Sequence, residues 1–249
     1  MTSRFDKSQA ARRRLKTLVG AAVLALSPTV TQAAERPVLV FGASGRLGVA
    51  IVRNLPSDVG PVTAFVRPSS DRAPLMSLVA RYVEGDVLNA EDVARALRTV
   101  RPEIVVNALA RRDFKGAFYD ISQGHITAAA KATGVKQIVF TSALGAGDSR
   151  AVYPDFRWKM FGPAIMEKDR AEKELIASGV GYTIIRNDQI VSDTVAPTGK
   201  ARLTDNQHAM GAITRADLGV LMAGCVAAAR CMNKIFHAVD TIPFVPSAP

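Results

Sequence analysis

The segment that decides the fold is PVLVFGASGRLGVAIVRNL, residues 37–55. A short apolar run, Val38–Phe41, precedes a glycine-rich turn, and apolar residues at helical spacing follow from Leu47 to Leu55. Continuous apolar runs of this length are typical of strands that are buried on both faces of a sheet. The segment therefore predicts a strand, a tight turn and a helix, which together begin a βαβ unit.

The same alternation of strands and helices continues along the chain. It is typical of a parallel sheet that helices cover on both faces. The sequence therefore predicts one α/β domain, a doubly wound parallel sheet (Rossmann fold), over residues 34–249. Further strands are predicted to end at Arg67 and near Glu84, and to cover EIVVNAL (103–109), KQIVFTSA (136–143), GYTIIR (181–186) and NKIFHAV (233–239). Further helices are predicted over Ala90–Leu97, Phe118–Ala132, Pro163–Ser178 and Asp217–Arg230.

Composition excludes several classes of protein. With 48% hydrophobic residues in 249, the chain has enough apolar content to fold, unlike a disordered protein. Two cysteines without a CxxC pair are too few for a disulfide scaffold or a structural zinc site, and no metal is expected. No apolar run reaches the roughly 18 residues of a membrane span. Half of the net charge of +10 lies in residues 1–33, so the body does not indicate a nucleic-acid partner.

Residues 1–33 have the layout of an export signal. The basic stretch ARRRLK precedes the apolar stretch TLVGAAVLAL, and TQA supplies small residues for cleavage after Ala33 or Ala34. The adjacent arginines Arg12–Arg14 resemble a twin-arginine signal, although the residues beside them depart from the usual pattern. We therefore expect a periplasmic protein. A Sec signal, or a basic tail on a cytoplasmic protein, is the alternative.

The glycine-rich turn has the spacing GxxGxxG. Gly42 permits a tight turn, Gly45 lets the backbone approach a pyrophosphate, and Gly48 lets the helix pack close to the strand. The free N–H groups at the start of the helix then face the anion. This pattern predicts a dinucleotide site whose loop residues are Gly42, Ala43, Ser44, Gly45, Arg46 and Leu47.

The end of the second strand indicates which dinucleotide is bound. An acidic residue there usually accepts hydrogen bonds from the adenosine ribose of NAD. Here Val66 is followed by Arg67, and the guanidinium groups of Arg67 and Arg46 suit a 2′-phosphate. We therefore expect NADP(H) rather than NAD(H). The alternative is that both arginines are solvated surface residues.

Several motifs then occur in the order found in one enzyme family. They are GASGRLG, VR after the second strand, GDV, FTSALGAG, KDRAEKEL, SGVGYTIIR and ITRADLG. From about Arg36 to about Val239 the chain resembles the short-chain dehydrogenase/reductases, and most closely their atypical, NmrA-like branch. The resemblance implies that Asp86 and Val87 lie by the adenine. It also implies that Asn107, Ala108 and Leu109 pass behind the ribose and the nicotinamide.

The resemblance fails at one catalytic position. Conventional members use a Ser, and a Tyr and Lys spaced YxxxK, in which the Tyr moves a proton and the Lys holds the ribose. Ser142 and Lys168 match the Ser and the Lys, but Ala164 stands where the Tyr belongs. Tyr153 and Tyr119 are other candidates, and neither has the family's spacing.

These observations lead to one main functional expectation. It is an NADP(H)-dependent oxidoreductase that transfers a hydride to a small flavin, quinone, or activated alkene or carbonyl, with solvent supplying the proton. A cofactor-binding sensor without chemistry, and an NAD(P)-dependent epimerase, are the alternatives. The sequence does not predict the oligomeric state.

Near the C-terminus, Thr214 is expected to cap a helix that has Asp217 at its third position, so this motif is interpreted as structural. Cys225 and Cys231 are six residues apart, a rise of about 9 Å on one unbroken helix. We therefore expect reduced thiols, unless the helix ends between them.

Overall fold

The computed structural model describes residues 36–111 and 117–242. The expected export signal, residues 1–33, and its boundary with the following domain lie outside this range. No helix within the described residues is long and apolar enough to cross a membrane.

The described residues contain an eight-stranded sheet. Its strands are β1 (Val38–Phe41), β2 (Val62–Val66), β3 (Arg81–Glu84), β4 (Ile104–Asn107), β5 (Gln137–Ala143), β6 (Tyr182–Asn187), β8 (Arg202–Thr204) and β10 (Lys234–Val239). Their order across the sheet is β3-β2-β1-β4-β5-β6-β10-β8. Seven strands are parallel, and the edge strand β8 runs antiparallel to β10. The predicted doubly wound sheet is confirmed. A separate parallel pair joins β7 (Gln189–Ile190) to β9 (Ala212–Ile213).

Helices cover both faces of the sheet. They are α1 (Arg46–Arg53), α2 (Ala90–Val100), α3 (Tyr119–Thr133), α4 (Asp155–Ala177) and α5 (Arg215–Ala223), with 3₁₀ turns at Ala73–Leu75, Gly147–Val152 and Ala229–Cys231. One core holds α1 and α5 against the sheet, and a second core holds α2, α3 and α4 against the other face. Alternate residues of β1 enter the two cores, Val38 and Val40 on one side and Leu39 and Phe41 on the other. Continuous apolar strands are required because both faces are buried.

Two helices, α4 and α5, differ most from their predicted bounds. Helix α4 begins eight residues before Pro163, which the sequence places at the helix start, and Pro163 lies inside it. Pro154 is the residue that precedes the helix, and the fixed φ of proline suits that position as well. Helix α5 ends at Ala223, well before the predicted Arg230, and Gly224 is its C-cap.

The expected cap of α5 is confirmed. The Thr214 side-chain oxygen accepts a hydrogen bond of 3.0 Å from the Asp217 backbone N–H, so it satisfies one of the free donors of the first turn. The Asp217 carboxylate in turn accepts bonds from the backbone N–H groups of Thr198 and Gly199. The loop after β7 is thus tied to the start of α5.

The expectation of reduced thiols is wrong, because Cys225 and Cys231 form a disulfide with their Cα atoms 5.5 Å apart. Both residues lie beyond the end of α5, so the chain is free to turn back between them. Side chains of the sheet fix this turn: Gln137 donates to the Cys225 carbonyl (2.9 Å) and Thr183 donates to the Cys231 carbonyl (2.8 Å). Both cysteines are buried.

Candidate cofactor and active site

The turn between β1 and α1 depends on two glycines. Gly42 has φ +77°, and a Cβ there would lie 2.8 Å from the Ala108 carbonyl carbon. A Cβ on Gly48 would lie 2.1 Å from the Gly42 carbonyl oxygen. Any side chain at either position therefore collides with backbone. These contacts agree with the roles that the GxxGxxG spacing predicts for a tight turn and a closely packed helix.

The start of α1 fits a pyrophosphate. Its N-cap is Gly45, no side chain caps the first turn, and that turn has no acidic residue. The backbone N–H groups there have no intrahelical partner, and the positive end of the helix dipole favours an anion. Of the predicted loop residues, Ala43 is buried, Gly42, Ser44 and Leu47 are half-buried, and Gly45 and Arg46 are exposed.

The two arginines that the sequence assigns to the 2′-phosphate have different surroundings. Arg67 follows β2 directly and is exposed, and its backbone N–H donates to the Ser70 hydroxyl at 3.1 Å. Arg46 is the first residue of α1, and its guanidinium pairs with the Asp193 carboxylate at 2.8 Å. One of the two expected phosphate ligands thus already has an anionic partner within the chain.

Asp86 and Val87, expected at the adenine, follow β3 at the same carboxyl edge of the sheet as the loop. The Asp86 carboxylate is exposed and accepts a bond from the Leu88 N–H (2.9 Å), and Val87 is buried. The Asp86 N–H bonds to the Asp92 carboxylate and lowers the Asp92 pKa, with Arg95 acting in the same direction. The arrangement presents a polar corner beside an apolar residue.

The residues expected behind the ribose and nicotinamide lie at the end of β4. Asn107 is buried, and its side chain donates to Gln123 on α3 (2.7 Å) and accepts from the Leu109 N–H (3.0 Å). The Ala108 N–H donates to the Phe41 carbonyl at 3.0 Å. These bonds hold the end of β4 against the glycine turn.

Ser142, the expected catalytic serine, is fully buried at the end of β5. Its hydroxyl donates a short hydrogen bond to the Glu172 carboxylate. Glu172 also accepts two bonds from Arg186, at 3.1 and 2.7 Å, and both of these charged side chains are 3% exposed. Arg186 in addition donates to Asp148 and Gln207. The Ser142 hydroxyl is thus committed to a buried ion pair, and its catalytic role stays a prediction.

Lys168 lies one helical turn before Glu172 on α4, and its ammonium group donates to the Thr141 carbonyl at 3.1 Å. The same group lies 4.8 Å from the centre of the Tyr119 ring, a cation–π distance. Desolvation lowers the pKa of Lys168 to about 8, and the nearby Glu172 carboxylate opposes that shift. The side chain is half-buried, so the ammonium group is held at the edge of the sheet where the cofactor is expected.

The two tyrosine candidates have different surroundings. Tyr153 is buried in a small core with Leu144 and Ile165, and its burial raises its pKa above the ordinary value. The Tyr119 hydroxyl accepts a bond from the Arg111 N–H at 3.0 Å, and its ring, not its oxygen, faces Lys168. The structure therefore brings Lys168 and Tyr119 together without the geometry of a YxxxK pair.

Sequence reasoning missed two groups. The Glu167 carboxylate accepts from the backbone N–H groups of Phe118 and Tyr119 (2.9 and 2.8 Å), so a residue of α4 caps α3. Asp193, which pairs with Arg46, is separated from it by 147 residues and carries no local signal. Within the described residues, no group of His, Cys, Asp and Glu side chains is arranged to hold a metal ion.

Comparisons with known proteins agree with this geometry. A family model described as NAD(P)H-binding matches residues 42–229. A 3-diazoavenalumate denitrifying reductase of a Streptomyces species is 35% identical over 116 residues, which are 42% of this chain and only 37% of that protein. ChuY, an anaerobilin reductase of Escherichia coli O157:H7, is 25% identical, with a TM-score of 0.73 over 85% of this chain and all of that one. A short-chain dehydrogenase/reductase of Veillonella parvula in complex with NADP is 14% identical, with a TM-score of 0.66 over 83% of this chain and 95% of that one, and shares the fold.

If Lys168 binds the cofactor ribose, as the family resemblance implies, its lowered pKa predicts a change in NAD(P)H binding near pH 8. Above that pH the ammonium group loses its proton, and a charge-assisted bond to the cofactor becomes a neutral one, so we expect the Kd to rise about 3- to 10-fold. Lys168→Arg stays charged and should bind without this inflection, while Lys168→Met should bind weakly at all pH values. A Kd series from pH 6.5 to 9.5, followed by cofactor fluorescence, measures the effect. An inflection that persists in Lys168→Arg would assign it to another group.

A stability measurement checks the same pKa independently. Because folding lowers this pKa, the unfolded chain holds the proton more tightly than the folded protein between about pH 8 and the ordinary value of 10.5. The contribution of Lys168 to the free energy of unfolding should therefore rise with pH across that window. Urea unfolding of wild type and Lys168→Met at several pH values isolates this slope, and equal slopes would contradict the assignment.

Proposed function

Because the chain belongs to the NAD(P)H-binding family, we propose that it is an NADP(H)-dependent oxidoreductase that transfers a hydride to a small organic acceptor. The acceptor classes that fit are flavins, quinones, and activated alkenes or carbonyls. Two relatives that are named as reductases support a reduction rather than another use of the cofactor.

The observation that carries this proposal is that the family's proton-donating tyrosine is missing and the matching serine is buried. The side chain of Ala164 cannot donate a proton, and the buried hydroxyl of Ser142 already donates its hydrogen bond to Glu172. An unactivated ketone needs a donor at its oxygen while the hydride arrives. A conjugated acceptor spreads the incoming charge over its own atoms and takes its proton from solvent. The site therefore favours conjugated acceptors.

The remaining groups suit cofactor placement. When bound, NADPH supplies the hydride. The start of α1 would bind the pyrophosphate, Arg67 the 2′-phosphate, and Lys168 the hydroxyls of the nicotinamide ribose. Asn107 holds the end of β4 in place through Gln123, as a support for the nicotinamide side. Fixing both reactants in one orientation is itself a large contribution to rate.

The acceptor is tested by single-turnover oxidation of bound NADPH with flavins, quinones, activated alkenes and simple aldehydes. We expect oxidation by at least one conjugated acceptor and none by unactivated aldehydes. Lys168→Met should slow it, and Lys159→Met, an exposed lysine on the same helix, should not. Tight NADPH binding with no turnover for any acceptor would favour a cofactor-binding sensor.

Cofactor choice is tested at Arg67. Arg67→Glu removes a phosphate partner and adds an acceptor for ribose hydroxyls, so the Kd for NADPH should rise at least tenfold while that for NADH stays equal or falls. The matched control is Arg81→Glu, which makes the same charge change at the first residue of β3. That residue lies at the amino ends of the strands, away from the expected cofactor site. If the Arg67→Glu protein keeps the wild-type preference in a titration with both nucleotides, the assignment of Arg67 is wrong.

We also propose that the protein works in the periplasm. The Cys225–Cys231 disulfide supports this, because disulfides persist in oxidising compartments and are rare in the cytoplasm. The twin-arginine route carries folded proteins, so it would let the chain load NADP(H) before export. Cofactor retention then requires slow release.

Export is tested by replacing Arg12, Arg13 and Arg14 together with Lys. We expect the variant to stay in the cytoplasm with residues 1–33 attached and with both cysteines open to thiol labelling after denaturation. The wild-type protein from the periplasm should lack residues 1–33, resist labelling and carry NADP(H). Export that survives the substitution would reject the twin-arginine route, and a wild-type protein that stays uncleaved in the cytoplasm would reject export.

A further inference from the structure

A cavity of about 370 Å³ lies beside the glycine-rich loop, between the first turns of α1 and α5. Residues of four segments line it, among them Ser44, Arg46, Pro74, Asp193, Thr214 and Arg215. Ser44 and Arg46 belong to the expected cofactor loop. The cavity is thus continuous with the dinucleotide site and extends it toward α5.

Positive charge is concentrated in this cavity. Arg46 is the first residue of α1 and Arg215 is the first residue of α5. A helix start carries partial positive charge, so an arginine there is unfavourable unless an anion lies nearby. The first turn of α5 contains one such anion, Asp217, whereas the first turn of α1 contains no acidic residue. Both guanidinium groups contact the same carboxylate, that of Asp193, so the two cations lie close together. Burial lowers the pKa of Arg215, and the charge of Arg46 lowers it further.

One carboxylate pairs with both arginines and leaves the cluster with a net charge of +1. Asp193 accepts from the Arg46 guanidinium at 2.8 Å through one oxygen, and its other oxygen contacts the Arg215 guanidinium. The Arg215 side chain is 16% exposed, whereas Arg46 is 62% and Asp193 is 45% exposed. The cation that is held deepest therefore belongs to α5, outside the GxxGxxG motif, and Asp193 reaches it from an exposed loop.

We propose that Arg46 and Arg215 form one phosphate subsite of the cofactor and that the Asp193 carboxylate is the internal anion that this phosphate displaces. Guanidinium groups bind carboxylate and phosphate with the same forked geometry, and a phosphate brings more acceptor oxygens. In the cofactor-free protein, the Asp193 carboxylate reduces the repulsion between the two arginines. It therefore competes with the cofactor phosphate for them. The inference rests on the proposed function, because it concerns the same site.

The phosphate that enters this subsite is either the 2′-phosphate or part of the pyrophosphate. Only NADPH has the first, and both NADPH and NADH have the second. If the subsite takes the 2′-phosphate, a change at Asp193 or Arg215 affects NADPH alone. If it takes the pyrophosphate, the change affects both nucleotides to the same extent.

The test compares Asp193→Ala, Arg215→Met and wild type in fluorescence titrations with NADPH and NADH at low and high salt. Exposed ion pairs are weak, so removing the competitor should tighten binding about 3- to 10-fold, with a smaller gain at high salt. Arg215→Met should weaken binding by a similar factor. In the double variant the loss of Asp193 should tighten binding by less than in the wild type, because only Arg46 remains to be freed. Asp205→Ala, at an exposed aspartate that does not line the cavity, removes the same charge and should leave the Kd within about twofold.

The outcomes separate this inference from the proposed function. If the wild type binds NADPH and Asp193→Ala binds it equally or more weakly, the displacement is wrong. The proposed oxidoreductase function is unaffected by that result. A gain in Asp205→Ala equal to that in Asp193→Ala overturns it too, because net charge would then explain both. If the Asp193→Ala protein binds NADPH and the wild type does not, the Asp193 carboxylate is a strong competitor, which supports the displacement. No binding of either nucleotide by any variant rejects both proposals.

Discussion

The close packing of Gly48 against the Gly42 carbonyl fixes the rest of the site. A Cβ on Gly48 would lie only 2.1 Å from the Gly42 carbonyl oxygen, so α1 packs directly on the turn that follows β1. Gly42 meets the backbone of Ala108 in the same way, so β4 is held at the same point. The start of α1 and the ends of β1 and β4 therefore form one rigid corner, and a dinucleotide laid across it meets backbone donors that have no side chain in front of them.

A second constraint acts where the reaction is expected. Two charges that are almost fully buried, Glu172 and Arg186, are tolerable only as a pair with their remaining bonds made. Ser142, Asp148 and Gln207 make those bonds, and they come from β5 and from the loops that follow β5 and β8. The pair thus joins α4 to two strands at the carboxyl edge. Ser142, which matches the family's catalytic serine, takes part in this support through its hydrogen bond to Glu172.

Local signals made much of this structure predictable. The glycine spacing, the continuous apolar strands and the Thr214 cap depend on residues a few positions apart, and each appears as expected. The bounds of α4 and α5 do not, because Pro163 is tolerated inside a helix and because the end of α5 is set by a turn that Gln137 and Thr183 hold from the sheet. Asp193 has no sequence signal, since its partner Arg46 is 147 residues away.

In the proposed function, these features place the burden of catalysis on cofactor binding. Ala164 and the buried Ser142 hydroxyl would supply no proton to the acceptor, so the rate would depend on how well the nicotinamide is held against it. Cations would then be needed at both ends of the cofactor, and the two arginines at the phosphate end repel one another when no anion is near. Asp193 between Arg46 and Arg215, and the Thr141 carbonyl at Lys168, supply the compensating negative ends within the chain. The carboxylate lies on an exposed loop, whereas the carbonyl belongs to β5 and is fixed, so the proposed displacement by an anion is confined to the phosphate end.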